Sequence, residues 1–509
     1  MPLALASGVL LALSFPKFGH PAFGWVALTP LLVAAWDAGR QHRLRRAFLL
    51  GWIAGLAYFA GALYWLVRVM TTYGGIGTPV AILVVILLIA YLSLFPAIAA
   101  WVVALGCRAL GARALLIAPA AWVTGELGRT YIWSGFPWVL LGYSQLHVLP
   151  IAQSASLFGV YGLSMLLALV SGAVAYALVA GRRRFVPVGM AIALVAGLAG
   201  WGTFRIRDGA LTRAGTPVRV AVVQGSISQD EKWDPALRNA IMERYISLSR
   251  AALAANATFV IWPESALPFY FDLDPAGAFA IRRLAYQSKA TFLVGSDQIE
   301  PVRLVARQPP PERRERIYNA AFLIGPDGRT AGLYRKMHLV PFGEYVPLKR
   351  LLFFVGPLVE AVSDFSPGDT PALLPVGGHL ASTAICYEVV YPHLIADFVD
   401  GGSELLTTIT NDAWFGRSSA APQHFDQAAM RAIEQGRYLA RAANTGISGF
   451  VDPYGRVLAE TPLFEPDVRI EELRFLQGRT VYGRIGDSFA YAGLVVTMLL
   501  IGSSVRFFR

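Results

Sequence analysis

The chain has 509 residues, of which 55% are hydrophobic and 15% charged, with a net charge of +11 and a mean hydropathy of +0.50. An ordinary soluble chain carries about 25% charged residues, so this composition excludes a protein that is soluble throughout. The chain has only two cysteines, Cys107 and Cys386, and scattered histidines. This excludes a multi-cysteine zinc site, and we expect no metal, no cofactor and no disulfide.

Residues 1–203 are predicted to be a series of membrane-spanning helices, because a span needs about 20 mostly apolar residues. The apolar stretches are 2–15, 22–36, 47–67, 79–106, 114–127, 149–180, 186–203 and, near the carboxyl terminus, 489–504. We therefore expect about eight spans on this length rule. The first stretch lacks the basic residues that begin a signal peptide, which favours a span there.

Arginine clusters give these spans an orientation. They lie in the predicted loops at 40–46, 108–113 and 182–184, which alternate and therefore fall on one face of the membrane. Basic loops stay cytoplasmic, so residues 204–487 are predicted to lie on the opposite, periplasmic side of a bacterial inner membrane. This placement explains much of the positive charge without a nucleic-acid partner.

The predicted loop 128–148 is rich in aromatic residues. Tyrosine and tryptophan favour the membrane–water interface, so the loop can be an interfacial belt. Direct contact with a substrate is the other interpretation, and the sequence leaves both open.

Residues 204–487 are predicted to form an α/β domain, followed by a last span in 488–509. Short β-branched runs that predict strands are Val218–Val223, Thr258–Trp262, Thr291–Val294, Ala320–Ile324, Ala381–Ile385 and Leu405–Ile409. Helical patterns cover Leu237–Leu253 and Gln423–Ala443. Turn signals stand at residues 326–328 and 452–455, and residues 307–316 have the composition of an exposed loop. Strands that alternate with helices indicate a layered α/β architecture.

Three segments of this domain carry residues suited to covalent catalysis. They are Ile261–Ser265 (IWPES), Tyr334–Tyr345 (YRKMHLVPFGEY) and Ala384–Glu388 (AICYE). A cysteine nucleophile needs a base, which a buried glutamate can supply. A lysine can stabilise the oxyanion of a tetrahedral intermediate, with a backbone N–H as a second donor. The candidate set is Glu264, Lys336 and Cys386.

Each of these residues is ambiguous when taken alone. A lone buried cysteine is usually a small core residue. Glu264 could be a first-turn helix acid, and Lys336 an ordinary surface charge. His338 is better interpreted as a hydrogen-bonded structural residue than as a ligand. The joint pattern is what favours catalysis.

The three segments, in this order, resemble the active-site motifs of the nitrilase superfamily. With the surrounding spans the chain is most similar to the apolipoprotein N-acyltransferase family. Further similar segments are Gly135–Trp138, Gly142–Gln145, Thr410–Gly416, Gln423–His424, Ala443–Gly446 and Thr480–Arg484. The resemblance covers essentially the whole chain. It implies a polytopic helical membrane domain joined to an α-β-β-α nitrilase-like sandwich.

The resemblance also implies a mechanism. Cys386 would attack a phospholipid ester, with phosphatidylethanolamine the expected donor, and form a thioester. Glu264 would be the general base and Lys336 the oxyanion stabiliser. The acceptor would be the free α-amine of the diacylglyceryl-cysteine of an apolipoprotein, in a ping-pong reaction that completes lipoprotein maturation.

Other residues gain expectations from the same resemblance. Glu344, Tyr387 and Glu388 are implied as supporting residues, and Trp233 as a substrate-binding residue near the entrance. The apolar segment Leu351–Pro357 is either a lid that dips into lipid or part of the core. Tyr438 stands where many relatives have proline, on what we predict to be a helix away from the motifs.

Two other functions remain open from the residues. A membrane-tethered amidase or nitrilase would share the chemistry and differ only in the acceptor. A transporter would show internal repeats or charges in the middle of its spans, and the chain shows no convincing repeat. The polar pair Glu126 and Arg129 lies near a span end, where interfacial placement explains it.

Overall fold

The computed structural model describes residues 1–72, 74–75, 77–181, 184–301, 315–341, 343–345 and 365–506. The predicted segment Leu351–Pro357 lies outside these residues. The predicted loop 307–316 also lies outside them, except for its last two residues, which begin a strand.

The amino-terminal part consists of helices packed into a bundle. These are α1 Pro2–Leu13, α2 Pro21–Gly24, α3 Thr29–Arg40, α4 Leu44–Leu63, α5 Leu66–Thr72, α6 Thr78–Leu92, α7 Leu94–Leu110, α8 Ala118–Tyr131, α9 Leu149–Ala152, α10 Ala155–Val179, α11 Val186–Asp208 and α12 Ala210–Arg213.

Five helical segments among the described residues are long and apolar enough to cross a membrane. They are Pro21–Arg40, Leu44–Leu63, Thr78–Leu116, Ala155–Val179 and Val186–Arg213. The apolar helices Pro2–Leu13 and Ser488–Ser504 are shorter, and α8 has 14 residues. A polytopic helical part is therefore confirmed, and the number of eight spans stays a prediction. The predicted boundary at residue 203 falls inside α11.

Two of the predicted spans are interrupted. The stretch 79–106 divides at Ser93, three residues before Pro96, which has no N–H to donate to the preceding turn. The stretch 149–180 divides between α9 and α10, and α10 itself is kinked at Gly159, whose φ of 67° leaves the helical range. A Cβ at Gly159 would lie 2.5 Å from the ring of Tyr482, so only glycine fits this crossing.

The second part is built on strands. They are β1 Thr216–Gln224, β2 Phe259–Ile261, β3 Thr291–Pro301, β4 Glu315–Ile324, β5 Thr330–Arg335, β6 Leu374–Val376, β7 His379–Ile385, β8 Leu405–Thr410, β9 Leu439–Ala443, β10 Gly449–Val451, β11 Val457–Glu460 and β12 Asp467–Phe475. The six predicted strands are confirmed as β1, β2, β3, β4, β7 and β8.

Helices accompany these strands. They are α13 Gln229–Lys232, α14 Arg238–Ala254, α15 Pro275–Ser288, α16 Pro392–Asp400, α17 Ala420–Gln435, α18 Val481–Ile485 and α19 Ser488–Arg506. The predicted helix 237–253 is confirmed as α14, and the two predicted turns join β4 to β5 and β10 to β11.

The described strands form two six-stranded sheets, in the orders β12-β1-β2-β3-β4-β5 and β11-β10-β9-β8-β7-β6. Alternation along β1 shows how they are layered. Val220 and Val222 belong to the core between the sheets, whereas Ala221 and Val223 pack in a second core with Tyr245 of α14. With α14 and α15 outside one sheet and α16 and α17 outside the other, this is the expected α-β-β-α sandwich.

The predicted helix 423–443 is wrong in its second half. The helix ends at Gln435, because Gly436 adopts a left-handed conformation with φ of 61°, and the chain then enters β9. Tyr438 therefore lies immediately before a strand and not on a helix.

The helix α17 lies between the second sheet and the membrane bundle. Within it, Arg431 pairs with Glu434 at 2.9 Å, and Glu434 accepts a hydrogen bond at 2.8 Å from the backbone N–H of Val160 in α10. The kink at Gly159 turns this N–H away from its own helix. Arg431 also donates to the hydroxyl of Tyr143 at 2.9 Å, so the two parts share buried polar contacts.

Candidate active site

Cys386 stands at the end of β7, where the buried strand turns into the short helix Cys386–Val390. Its φ is 53°, a conformation that costs a non-glycine residue about 1–3 kcal/mol and that is common at functional sites. The residue is partly exposed. The N–H of Tyr387 lies in the first helical turn, where it has no intrahelical acceptor and is available to an oxyanion.

Glu264 follows β2 and is 7% exposed. One carboxylate oxygen, Oε1, accepts a hydrogen bond from Asn319 Nδ2 at 2.7 Å, and the other accepts from the backbone N–H of Asn411 at 2.8 Å. These donors come from both sheets. The neighbouring β3 approaches so closely that a Cβ at Gly295 would lie 2.2 Å from the carbonyl of Pro263.

Lys336 follows β5 and is 1% exposed. Its Nζ lies 2.8 Å from Glu344 Oε1 and 3.6 Å from Glu264 Oε1. Glu344 is fixed in turn by Asn319 Nδ2, which donates to Oε1 at 3.0 Å, and by the N–H of Val340, which donates to Oε2 at 2.8 Å. The lysine is thus held between two carboxylates.

The charges of this cluster act on one another. Burial raises the pKa of Glu264, Lys336 lowers it, and Glu344 raises it again, with a net rise. Burial alone would lower the pKa of Lys336, but Glu344 and Glu264 outweigh it and hold the ammonium protonated. Burial and then Glu264 raise the pKa of the Cys386 thiol, against the effect of Lys336. Because the pKa values of both the thiol and the carboxyl are raised, the cysteine rests as a neutral thiol. It is suited to give its proton to Glu264 as it attacks.

Glu388 connects the loops that carry the lysine and the cysteine. Its Oε1 accepts from Tyr334 Oη at 2.7 Å and from the N–H groups of Met337 and His338 at 2.7 and 3.1 Å. Its Oε2 accepts from the N–H of Ile385 at 2.7 Å. Burial raises the pKa of Glu388 to about 7, although these donors act against the shift. His338 makes this contact with its backbone N–H, so the structural role expected of its side chain stays a prediction.

His424, to which the sequence analysis assigned no role, contacts the backbone of Cys386. His424 Nε2 lies 3.1 Å from the carbonyl oxygen of Cys386, which can only accept. Arg441 approaches Nδ1 of the same ring at 2.9 Å and Asp412 Oδ2 at 2.9 Å. Asp412 Oδ1 also lies 3.2 Å from Nδ1, so Arg441 and Asp412 share this edge of the ring. Burial, followed by Arg441, lowers the pKa of His424, and Asp412 opposes the shift.

Tyr387 faces the membrane bundle. Its hydroxyl donates to the carbonyl of Gly135 at 3.3 Å, and its ring lies 6.2 Å from that of Trp138, with the two planes 16° apart. Trp138 is 1% exposed, whereas Trp133 in the same loop is 84% exposed. Trp133 therefore faces outward and Trp138 packs beside Tyr387, and the interfacial and substrate-contact interpretations of the loop both stay predictions.

Trp233 follows α13 and is 47% exposed. Its ring lies 5.8 Å from that of Tyr270 and 5.2 Å from Lys232 Nζ. Glu264, Lys336 and Cys386 lie in one cluster, in which the charges of the first two act on the thiol. The substrate contact expected of Trp233 stays a prediction. The second cysteine, Cys107, is buried in α7, and both cysteines are free.

Asn319 and Arg441 were missed by the sequence analysis. Asn319 adjoins the predicted strand 320–324, and Arg441 fell within the predicted helix 423–443. Asp412 and His424 lay in segments that the family resemblance had marked, without a role. Only the fold reveals that these four side chains surround the same cluster.

Two family models match the chain. The apolipoprotein N-acyltransferase N-terminal domain matches residues 7–173, and the carbon-nitrogen hydrolase family matches residues 219–480. Among solved structures, an amidase of Nesterenkonia from the nitrilase superfamily is similar over 55% of this chain and 98% of its own, at 20% identity and a TM-score of 0.40.

Curated relatives extend over nearly the whole chain. The apolipoprotein N-acyltransferase of Geobacter metallireducens is 42% identical over 96% of this chain and 92% of its own length. That of Methylococcus capsulatus is 35% identical over the same shares. Identity of this extent, together with both family models, shows that the chain belongs to the apolipoprotein N-acyltransferase family.

Proposed function

We propose that this membrane enzyme transfers an acyl chain from a phospholipid to the α-amine of a diacylglyceryl-cysteine at the amino terminus of an apolipoprotein. The acyl chain is carried as a thioester on Cys386. Glu264 is the general base and acid, and Lys336 stabilises the oxyanion.

The observation that carries this proposal is the position of the candidate triad against the membrane bundle. Tyr387, next to the cysteine, contacts Gly135 and Trp138 from the aromatic loop. Both substrates of the proposed reaction keep their long chains in the bilayer. A site at the junction of the spans and the α/β domain can bind the ester of the donor and the amine of the acceptor while the acyl chains of both stay in the bilayer.

The first half-reaction forms the thioester. Glu264 takes the thiol proton while Sγ of Cys386 attacks the ester carbonyl. Negative charge develops on the carbonyl oxygen, beside the Lys336 ammonium and the N–H of Tyr387. The C–O bond then breaks, and Glu264 returns its proton to the departing lysophospholipid alkoxide.

The second half-reaction consumes the thioester. The neutral α-amine attacks the thioester carbonyl, and Glu264 accepts the proton that the amine loses as the amide bond forms. The C–S bond breaks, and the thiolate of Cys386 regains a proton from Glu264. The enzyme returns to its starting state without any cofactor in these steps.

The supporting residues have separate parts in this scheme. Glu344 keeps Lys336 protonated and in place, as their 2.8 Å contact supports. Glu388 holds the lysine and cysteine loops in register. Tyr387 lines the site on the membrane side, and Trp233 contacts the substrate at the entrance.

The donor and the topology are also part of the proposal. We take phosphatidylethanolamine as the donor and a bacterial inner membrane as the location, with residues 204–487 periplasmic between spans in 1–203 and 488–509. The arginines at the end of α3 and the start of α4, together with Arg108 at the end of α7 and Arg113 just after it, support this orientation by the positive-inside rule.

The test follows the acyl group. Purified protein is incubated with phosphatidylethanolamine, and its intact mass is measured beside Cys386→Ala and, as the matched control, Cys107→Ala. We expect one added acyl mass in the parent and in the control, removable by hydroxylamine and absent from Cys386→Ala. A diacylglyceryl peptide should then take the acyl group.

Two results would contradict the proposal. If the parent gains no acyl mass from any phospholipid, the thioester step fails. If the acyl-enzyme loses its acyl group to water at the same rate whether or not the peptide is present, the protein is a hydrolase.

A further inference from the structure

Lys232 is a buried lysine outside the candidate triad. It is the last residue of α13 and is 7% exposed, with its Nζ 5.2 Å from the centroid of the Trp233 ring. Throughout the described parts of the chain, no carboxylate oxygen lies within the 4.0 Å ion-pair distance of this Nζ.

Lys336, the buried lysine of the candidate triad, differs from Lys232 because it has carboxylates close to its ammonium. Lys336 has a carboxylate at 2.8 Å and a second at 3.6 Å. Burial of an ammonium without a nearby anion is unfavourable, and a cation–π contact offsets this only in part. Burial lowers the pKa of Lys232, and Asp297 and Glu264 oppose this from a longer range. The side chain is therefore suited to an anion that arrives with a ligand.

The surroundings of Lys232 indicate where such a ligand would sit. Ile227, two residues before α13, exchanges two hydrogen bonds with the side chain of Asn444. Asn444 also donates to Asn411, whose N–H binds Glu264, so the chain that leads into α13 is tied to the loop that holds the proposed base. Trp233 is 47% exposed and its ring lies 5.8 Å from that of Tyr270. Since the Lys232 ammonium lies over the Trp233 ring, a ligand that contacts this exposed ring lies next to the ammonium.

We infer that Lys232 binds the phosphodiester group of the phospholipid acyl donor. This inference rests on the proposed function and deepens it. The phospholipid donor always carries its anionic phosphodiester a few covalent bonds from the ester that reacts. The acceptor reacts through an amine and need not carry an anion there. A lysine recognises phosphate as a point charge, which suits headgroups of different shape.

The test compares two acyl donors. Phosphatidylethanolamine carries the phosphodiester, and p-nitrophenyl palmitate is an ester without phosphate. The rate of acyl-enzyme formation is measured with each by intact mass, for the full-length protein and for three variants. Lys232→Met removes the charge and keeps the apolar stem, Lys232→Arg keeps the charge, and Lys289→Met is the matched control, an exposed lysine of the same domain.

We expect the ratio of the two rates, phospholipid over phosphate-free ester, to fall at least tenfold in Lys232→Met. The arginine variant should recover most of this ratio, and the control should keep it. An unchanged ratio in Lys232→Met overturns the inference. An equal loss with both esters also overturns it, because the residue would then act on the fold and not on the phosphate.

Two further outcomes separate the remaining explanations. If millimolar inorganic phosphate competes with the donor as strongly as glycerophosphoethanolamine does, the site recognises free phosphate and the headgroup assignment is wrong. If the parent protein reacts with the nitrophenyl ester but with no phospholipid, the proposed function itself fails. Normal phospholipid acylation in both parent and Lys232→Met would remove only the inference about Lys232.

Discussion

The carboxylate of Glu388 accepts a hydrogen bond from the backbone N–H of Met337 at 2.7 Å. Met337 follows Lys336, and Glu388 lies two residues after Cys386, so one side chain sets the spacing of two proposed catalytic loops. The second oxygen of Glu388 returns to the N–H of Ile385, at the end of the strand that delivers the cysteine.

Glu388→Gln should therefore misplace both loops. An amide offers one acceptor where four donors converge, and its NH₂ group would face an N–H. We expect a loss of about 1–3 kcal/mol in stability and at least a tenfold fall in kcat, with little change in KM. Thermal unfolding in detergent and steady-state transfer kinetics check this. A rise in KM with unchanged kcat would assign Glu388 to substrate binding instead.

The same carboxyl predicts a pH effect on stability. Its pKa is about 7 in the folded protein, against 4.5 for an ordinary glutamate. The folded state then binds the proton more tightly, so this contribution is complete below about pH 4.5 and is lost as the pH rises through 7. At about 1.4 kcal/mol per pKa unit the full loss is about 3.5 kcal/mol. The fall in melting temperature from pH 5 to pH 7.5 should be smaller in Glu388→Gln than in the parent; an equal fall contradicts the assignment.

Lys336→Met should change both the rate and its pH dependence. Removal of the ammonium takes away the charge beside the developing oxyanion, and we expect acyl-enzyme formation to slow at least 100-fold. Lys336 also lowers the pKa of Glu264, so its loss should move the acidic limb of the pH–rate profile to higher pH. The exposed-lysine variant Lys289→Met should keep the parent profile. If the reaction is slower but the acidic limb of the pH–rate profile does not shift, Lys336 does not set the pKa of Glu264.

Gly135→Ala should disturb the contact between the aromatic loop and the site. Gly135 has φ of +75°, and a Cβ there would lie 2.0 Å from the carbonyl oxygen of Thr130. The carbonyl of Gly135 accepts from both Tyr387 and Tyr391. We expect lower stability and a loss of transfer. Gly200→Ala is the matched control, since a Cβ there meets nothing within 4 Å and alanine favours a helix. Equal effects of the two variants would contradict the role of this turn.

Gln423→Leu should weaken the joint between α17 and the bundle. The side chain accepts from Trp138 Nε1 at 2.8 Å and donates to the carbonyl of Pro16 at 2.6 Å. Its replacement leaves a buried indole N–H without a partner, at about 1–3 kcal/mol. The melting temperature in detergent should fall, while the exposed-residue variant Gln287→Leu should keep it. No difference between the two would show that water or rearrangement satisfies Trp138.

The sequence predicted those parts whose signal is local. The strand before Cys386 is a run of small and apolar residues, and the motif glutamates and lysine stand just after strands or turns. Gly436 was overlooked as a helix end, because the apolar pattern continues into β9. Asn319 has no local signal: its importance comes from its hydrogen bonds to Glu264 and Glu344, which follow other strands of the same sheet. The contact of Trp138 with Tyr387 joins residues about 250 positions apart, which no periodicity can reveal.

The kink at Gly159 has a consequence for the order in which the protein is assembled. It directs the N–H of Val160 out of α10, and the group that accepts it, Glu434, is made 274 residues later. A backbone donor in a membrane helix cannot remain without an acceptor at no cost. Until α17 has been synthesised, the N–H of Val160 lacks this acceptor, so the polar contact between α10 and α17 can form only after residue 434 has been made.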